Sequence, residues 1–256
     1  MKKEPKAQES IYFYPKPFSK IYQFKITLLE TNPPVWRRIQ VPGCYTFWDL
    51  HCAITDAFGW LDYHLHLFEI NDPKTNSLNP PNPPLKEHFG IPDPDGMHDE
   101  DMGYVTKPSW LTTISRCFTL KPEINNQAEY SYDFGDGWHH SVVLEKIMVR
   151  TDKKLANTYP CCIDGENACP PEDCGGPWGY ERFKKSIAYH NAEDHEEMLK
   201  WVGGWFDPIW FDKELVRFGD PDLRWEIGFR KKPFPKDLRM VQYHMMKGTK
   251  KGLKKG

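Results

Sequence analysis

A chain of 256 residues, 39% hydrophobic and 27% charged, is long enough to bury one large core or two small ones. It has no run of about 18 apolar residues, so a membrane span is not expected. The formal charge of −2 supplies no whole-molecule field to draw the chain onto nucleic acid. Seven cysteines, with Cys161 and Cys162 adjacent, follow a polar start at Met1-Lys2-Lys3-Glu4-Pro5-Lys6. That pattern argues against a disulfide framework and for free thiols in a reducing, cytoplasmic setting, where zinc is the metal they would hold.

Residues 1–19 are read as an extension, 20–218 as the folded domain and 219–256 as a second extension. From Ile21 to Leu29 the residues Tyr22, Phe24, Ile26 and Leu28 alternate with polar ones, the period of a half-buried strand. Asn32-Pro33-Pro34 breaks it, and Val35 to Val41 alternates again, predicting an antiparallel pair. Thr46 is placed as a helix N-cap, with Asp49 three residues on completing a capping box. Phe47, Leu50, Ile54 and Ala57 follow at helical spacing up to Gly59. His64 to Ile70 reads as a third strand with His64, His66, Phe68 and Ile70 on one face.

Residues 71–109 are rich in proline and acid, which predicts an irregular insert. Strands are expected at Ala128 to Phe134 and Trp138 to Val149, flanking the turn Gly135-Asp136-Gly137. A cysteine- and proline-rich loop from Tyr159 to Pro177 precedes helices at Tyr180–Tyr189, Asp194–Val202 and Phe211–Phe218. Trp201, Trp205 and Trp210 read as core packing around those helices. The order predicts an α+β fold, an open mixed or antiparallel sheet or roll with helices on one face. Lys247, Lys250, Lys251, Lys254 and Lys255 lie among glycines, a solvated tail whose alternative use is contact with a nucleic-acid backbone.

The densest chemistry lies in Cys161-Cys162, six residues, Cys169, four residues, Cys174. Thiolates on a proline-stiffened loop suit zinc, although this is not the paired Cys-x2-Cys spacing of ribbons and needs remote ligands. Buried apolar thiols and redox thiols are the competing readings. His64 and His66 stand about 7 Å apart on one strand face, close enough to share an ion or substrate. His139 and His140 point to opposite faces. Asp133 and Asp136 either shape the turn, support a histidine or bind metal directly. Glu172 and Asp173 either act as acid/base groups or cap the next helix. Gly175-Gly176-Pro177 reads as a tight loop-to-helix join.

Four segments carry a resemblance. They are "IYQFKITLLETNPPVWRRIQVP", "HLHLFEI", "YSYDFGDGWHHSVVLE" and "YPCCIDGENACPPEDCGGPWGYERF". In that order the chain resembles the plasmid pRiA4b Orf-3-like family from about Ile21 to Phe218. The resemblance implies an α+β domain of an uncharacterised kind, linked to plasmids and insertion elements under a resolvase-like label. A tyrosine recombinase needs a His-x-x-Arg element, and the chain contains none. On the matched positions the resemblance selects Cys162, Cys169 and His140 as metal ligands, with His64 or His66 completing the set. It implies a binding or regulatory module connected with mobile elements. A metal-dependent hydrolase using the His and Asp residues, and a thiol redox protein, are the other two readings.

Overall fold

The computed structural model describes residues 18–71, 85–92, 103–121, 125–151 and 158–229. The basic lysine tail lies outside them. Eight strands form one open mixed sheet: β1 Lys20–Leu28, β2 Val35–Pro42, β3 His66–Asn71, β4 Lys86–Gly90, β5 Thr106–Pro108, β6 Gln127–Tyr132, β7 Trp138–Val149 and β8 Cys161–Glu166. They run in the order β5-β4-β3-β6-β7-β1-β2-β8. Every pair is antiparallel except β4 with β5. Five α-helices are described: α1 Phe47–Phe58, α2 Ile114–Cys117, α3 Gly176–Ala188, α4 His195–Trp201 and α5 Pro221–Phe229.

The expected β1–β2 pair forms with Phe24 opposite Ile39 and Leu28 opposite Val35. The capping box of α1 also forms. Thr46 Oγ1 accepts from the Asp49 amide and Asp49 accepts from the Thr46 amide, so two orphan donors are satisfied together. Gly59 ends the helix at φ 87, a left-handed conformation that favours glycine. Arg37 then donates from Nε to the Ala57 carbonyl, and from one terminal nitrogen to the carbonyls of Trp36 and Glu166. A buried cation thus satisfies the negative end of α1 and ties it to two strands.

One core joins sheet, α1 and α3. Phe24, Ile26, Phe68 and Val142 meet Phe47, Leu50 and Ile54, and Tyr180 and Phe183 extend the cluster. Phe47 stacks flat on Phe89, with ring centroids 4.2 Å apart.

Three expectations need correction. The insert holds two strands, because Phe89 of β4 is buried under Phe47 and β4 pairs with β3. Flanking prolines and the polar Glu87 and His88 hid it. The Tyr159–Pro177 loop contains the edge strand β8, paired with β2 across a register shift between Arg38 and Ile39. The helix expected over Phe211–Phe218 is an extended segment with one 3-10 turn at Lys213–Leu215. There Phe211 is drawn against Gly165, where even a Cβ would come within 2.5 Å of its ring. Beyond residue 218, α5 follows at Pro221–Phe229.

Candidate metal-binding site

Three loops meet at one end of the sheet: 59–65 after α1, 133–137 between β6 and β7, and 170–176 before α3. The first is held by its neighbours. The Leu61 amide donates to Glu172, the Tyr63 amide to the Tyr132 hydroxyl, and the Trp60 indole to the Pro170 carbonyl. The second is bound to the first by the Asp133 amide, which donates to Leu65 O at 3.0 Å. The third docks on the second. The Gly175 amide donates to Asp136 Oδ2, and Gly176, at φ 70, lies so close that a Cβ would sit 2.2 Å from the Asp136 carbonyl oxygen. The glycine pair therefore serves both the left-handed backbone and the close approach.

Into this junction project His64, Asp133 and Asp173. His64 Nε2 lies 2.9 Å from Asp173 Oδ1 and 3.4 Å from Asp133 Oδ2. The other Asp133 oxygen accepts from the Gly135 and Asp136 amides and closes the turn. Both aspartates have positive φ, 55 for Asp133 and 60 for Asp173. One donor atom from each of the three residues lies within 4.8 Å of the others, and among the described residues this is the one such group of three or more His, Cys, Asp or Glu side chains. Beside it Glu172 accepts from the Tyr132 hydroxyl and the Leu61 amide. Burial pushes its carboxyl up from the usual range, with those hydrogen bonds offsetting part of the shift.

Glu172 and Asp173 therefore do not cap α3, whose N-cap is Gly175 with no side-chain bond. Asp136 positions the third loop rather than joining the donor group. His66 is buried elsewhere, with Nε2 3.2 Å from Ser109 Oγ. His139 is exposed and His140 fully buried, on opposite faces of β7 as expected. The His140 ring donates from Nδ1 to the Tyr130 carbonyl, and its Nε2 has no partner among Phe58 and Trp60. Burial pushes it down to about 3. Cys162 directs its thiol at the Asp164 carbonyl, 3.4 Å away, and Cys169 packs against the core. Burial pushes up the thiols of Cys161, to about 11, of Cys174, to about 12, and of Cys162 and Cys169 as well. That is the reverse of a reactive thiolate.

A second polar cluster escaped the sequence reading. Asp62 accepts from His51 Nε2 at 2.8 Å and from Arg224 of α5 at 3.2 Å. On the other side of the ring, His51 Nδ1 lies 2.8 Å from the Tyr130 hydroxyl. Burial alone pushes the Asp62 carboxyl up, but His51 and then Arg224 pull it down further, to about 2. Arg224 also pairs with Asp56, and Trp225 packs edge-on against Trp48. These contacts fasten α5 to α1. The available signal was His51 itself, a polar residue next to Leu50 and three before Ile54 on the apolar stripe of α1.

Comparison with known proteins places the chain. The family model described as "Plasmid pRiA4b ORF-3-like protein" matches residues 20–215. The uncharacterized protein y4hQ of Sinorhizobium fredii (strain NBRC 101917 / NGR234) is 32% identical over 183 residues, covering 72% of this chain and 81% of that protein. The crystal structure of MM3350 from Methanosarcina mazei Go1, a protein of unknown function, superposes with a TM-score of 0.66 at 38% identity. It covers 79% of this chain and 100% of its own. No described helix is long and apolar enough to cross a membrane. With the match running through every strand of the sheet and the loops of the His64 junction, the chain belongs to the plasmid pRiA4b ORF-3-like family.

Proposed function

We propose that this protein is a divalent-metal-binding module, with the ion held by His64, Asp133 and Asp173. The observation that carries the reading is the convergence of three donor atoms within 4.8 Å. One imidazole and two carboxylates form a mixed set suited to manganese, iron or zinc rather than the thiolate-rich set of a structural zinc site. Three protein donors leave positions for water or a substrate oxygen. The role in mobile-element regulation rests on the family's plasmid description alone.

The hydrolytic version of this reading is favoured by Glu172. Its carboxyl, raised by burial, adjoins the donor group, where it can exchange a proton with a bound water or leaving group. A site of Cys162, Cys169 and His140 is the competing arrangement. Elemental analysis of protein purified without chelator or a histidine tag separates the two. The His64 site is supported by about one metal per chain that survives Cys162→Ser with Cys169→Ser and is lost in His64→Gln. Metal lost with the cysteines would overturn it.

A further inference from the structure

Away from the His64 junction, the segment between α4 and the 3-10 turn forms a cleft of about 280 Å³. Gly203 and Gly204, at φ 84 and 98, turn the chain out of α4. Asp207-Pro208-Ile209-Trp210 then makes a turn closed by the Trp210 amide on the Asp207 carbonyl, 3.1 Å apart. Asp at the first position and Pro at the second are what such a turn favours. The turn is anchored by the Ala168 amide, which donates to the Pro208 carbonyl. As a result Trp205 and Trp210 stand at 74° to each other with ring centroids 5.8 Å apart, and Phe206 lines the cleft with them.

These tryptophans were expected in the core, yet Trp205 is 62% exposed and Trp210 46%. Single exposed apolar side chains are ordinary, but two adjacent indoles and Phe206 lining one cleft make a contiguous apolar patch, the kind that marks a binding groove. The charge at the cleft is negative. Asp207 and Asp212 each use one carboxylate oxygen to accept a local amide, from Ile209 and Glu214, and neither forms an ion pair among the described residues. Asp56 is already paired with Arg224. Among the described residues the one cation lining the cleft is Arg37, which is stacked on Phe211 at 3.6 Å and donates to three backbone carbonyls. Its charge is engaged in holding α1 and β8.

Perpendicular indole faces with nearby unpaired carboxylates are the chemistry that recognises an alkylated ammonium. The ring quadrupoles attract the diffuse cation, and it gives up little hydration on entry. The volume is at the small end for ligand sites and suits a headgroup rather than a large molecule. We propose that the Trp205–Trp210 cleft binds a small quaternary-ammonium compound, with Asp207 and Asp212 supplying the countercharge.

The test is a calorimetric titration of the full chain with choline, with its neutral tert-butyl isostere 3,3-dimethylbutan-1-ol, and with a trimethyl-lysine peptide. Saturable choline binding, about tenfold weaker for the isostere and about tenfold weaker in Trp210→Ala, is expected. Asp207→Asn with Asp212→Asn keeps the amide-accepting carbonyl of each turn while removing the charge, and is expected to weaken choline several-fold with circular dichroism unchanged. Equal binding of choline and isostere, or no binding of choline, would overturn the proposal. Tighter binding of the peptide than of choline would overturn the small-molecule assignment and make the cleft a protein-recognition site.

Discussion

The imidazoles of His51 and His66 lie face to face, 3.7 Å between centroids and 12° from parallel, with both residues buried. Two protonated rings cannot occupy that stack. Burial, and then the facing His51, push His66 well below its ordinary range. His140, pushed down to about 3, is the second buried histidine held neutral.

Acid sensitivity follows. Below about pH 6.5 the unfolded chain takes up protons at positions 66 and 140 that the folded chain refuses. Stability then falls with pH by about 1.4 kcal/mol per unit for each of the two. The Asp62 share is present above about pH 3.8 and is lost as pH drops toward 2. In His140→Phe, which suits the surrounding rings, the slope between pH 6 and pH 4 is expected to fall by about half. Urea melts across that range check it.

Arg224 of α5 neutralises two carboxylates, Asp56 and Asp62, in a poorly solvated setting. Arg224→Ala leaves both facing each other across the gap, and a loss of about 3–5 kcal/mol is expected. Arg116→Ala removes a looser pair in which Arg116 is half exposed, 3.7 Å from Glu87, and should cost under about 1 kcal/mol. Parallel denaturation curves, read by tryptophan fluorescence because Trp225 packs on Trp48, distinguish the two.

Glycines 59 and 176 separate backbone strain from steric contact. Gly59 has φ 87, and a methyl group added there would meet nothing within 4 Å, so Gly59→Ala should cost about 1 kcal/mol. Gly176→Ala adds a collision with the Asp136 carbonyl, and about 3 kcal/mol or more is expected. The second change should also displace the 170–176 loop and weaken metal binding, whereas the first should not. Denaturant melts and metal titrations of the two variants check both halves.

Local signals carried much of the fold. The alternation in β1 and β2, the Thr46–Asp49 capping box and the turn after β6 are short-range features and appear as expected. What escaped was set by distant partners. β4 exists because Phe89 finds Phe47, and β8 because an edge strand can borrow its ladder from β2. Phe211–Phe218 lost its helix to the pull of one ring toward Gly165. At the site, His64, Asp133 and Asp173 were each visible as residues. Their grouping was not, because it depends on three loops meeting, and the cysteine spacing drew attention elsewhere.

Calorimetric titration with Mn²⁺ tests most directly whether His64, Asp133 and Asp173 hold one ion. The comparison is with Asp173→Asn, which keeps a residue tolerant of positive φ while removing the carboxylate. One saturable site per chain, weakened at least about tenfold in the variant, is the result expected. Binding that is absent in the parent chain, or unchanged in the variant, would contradict it.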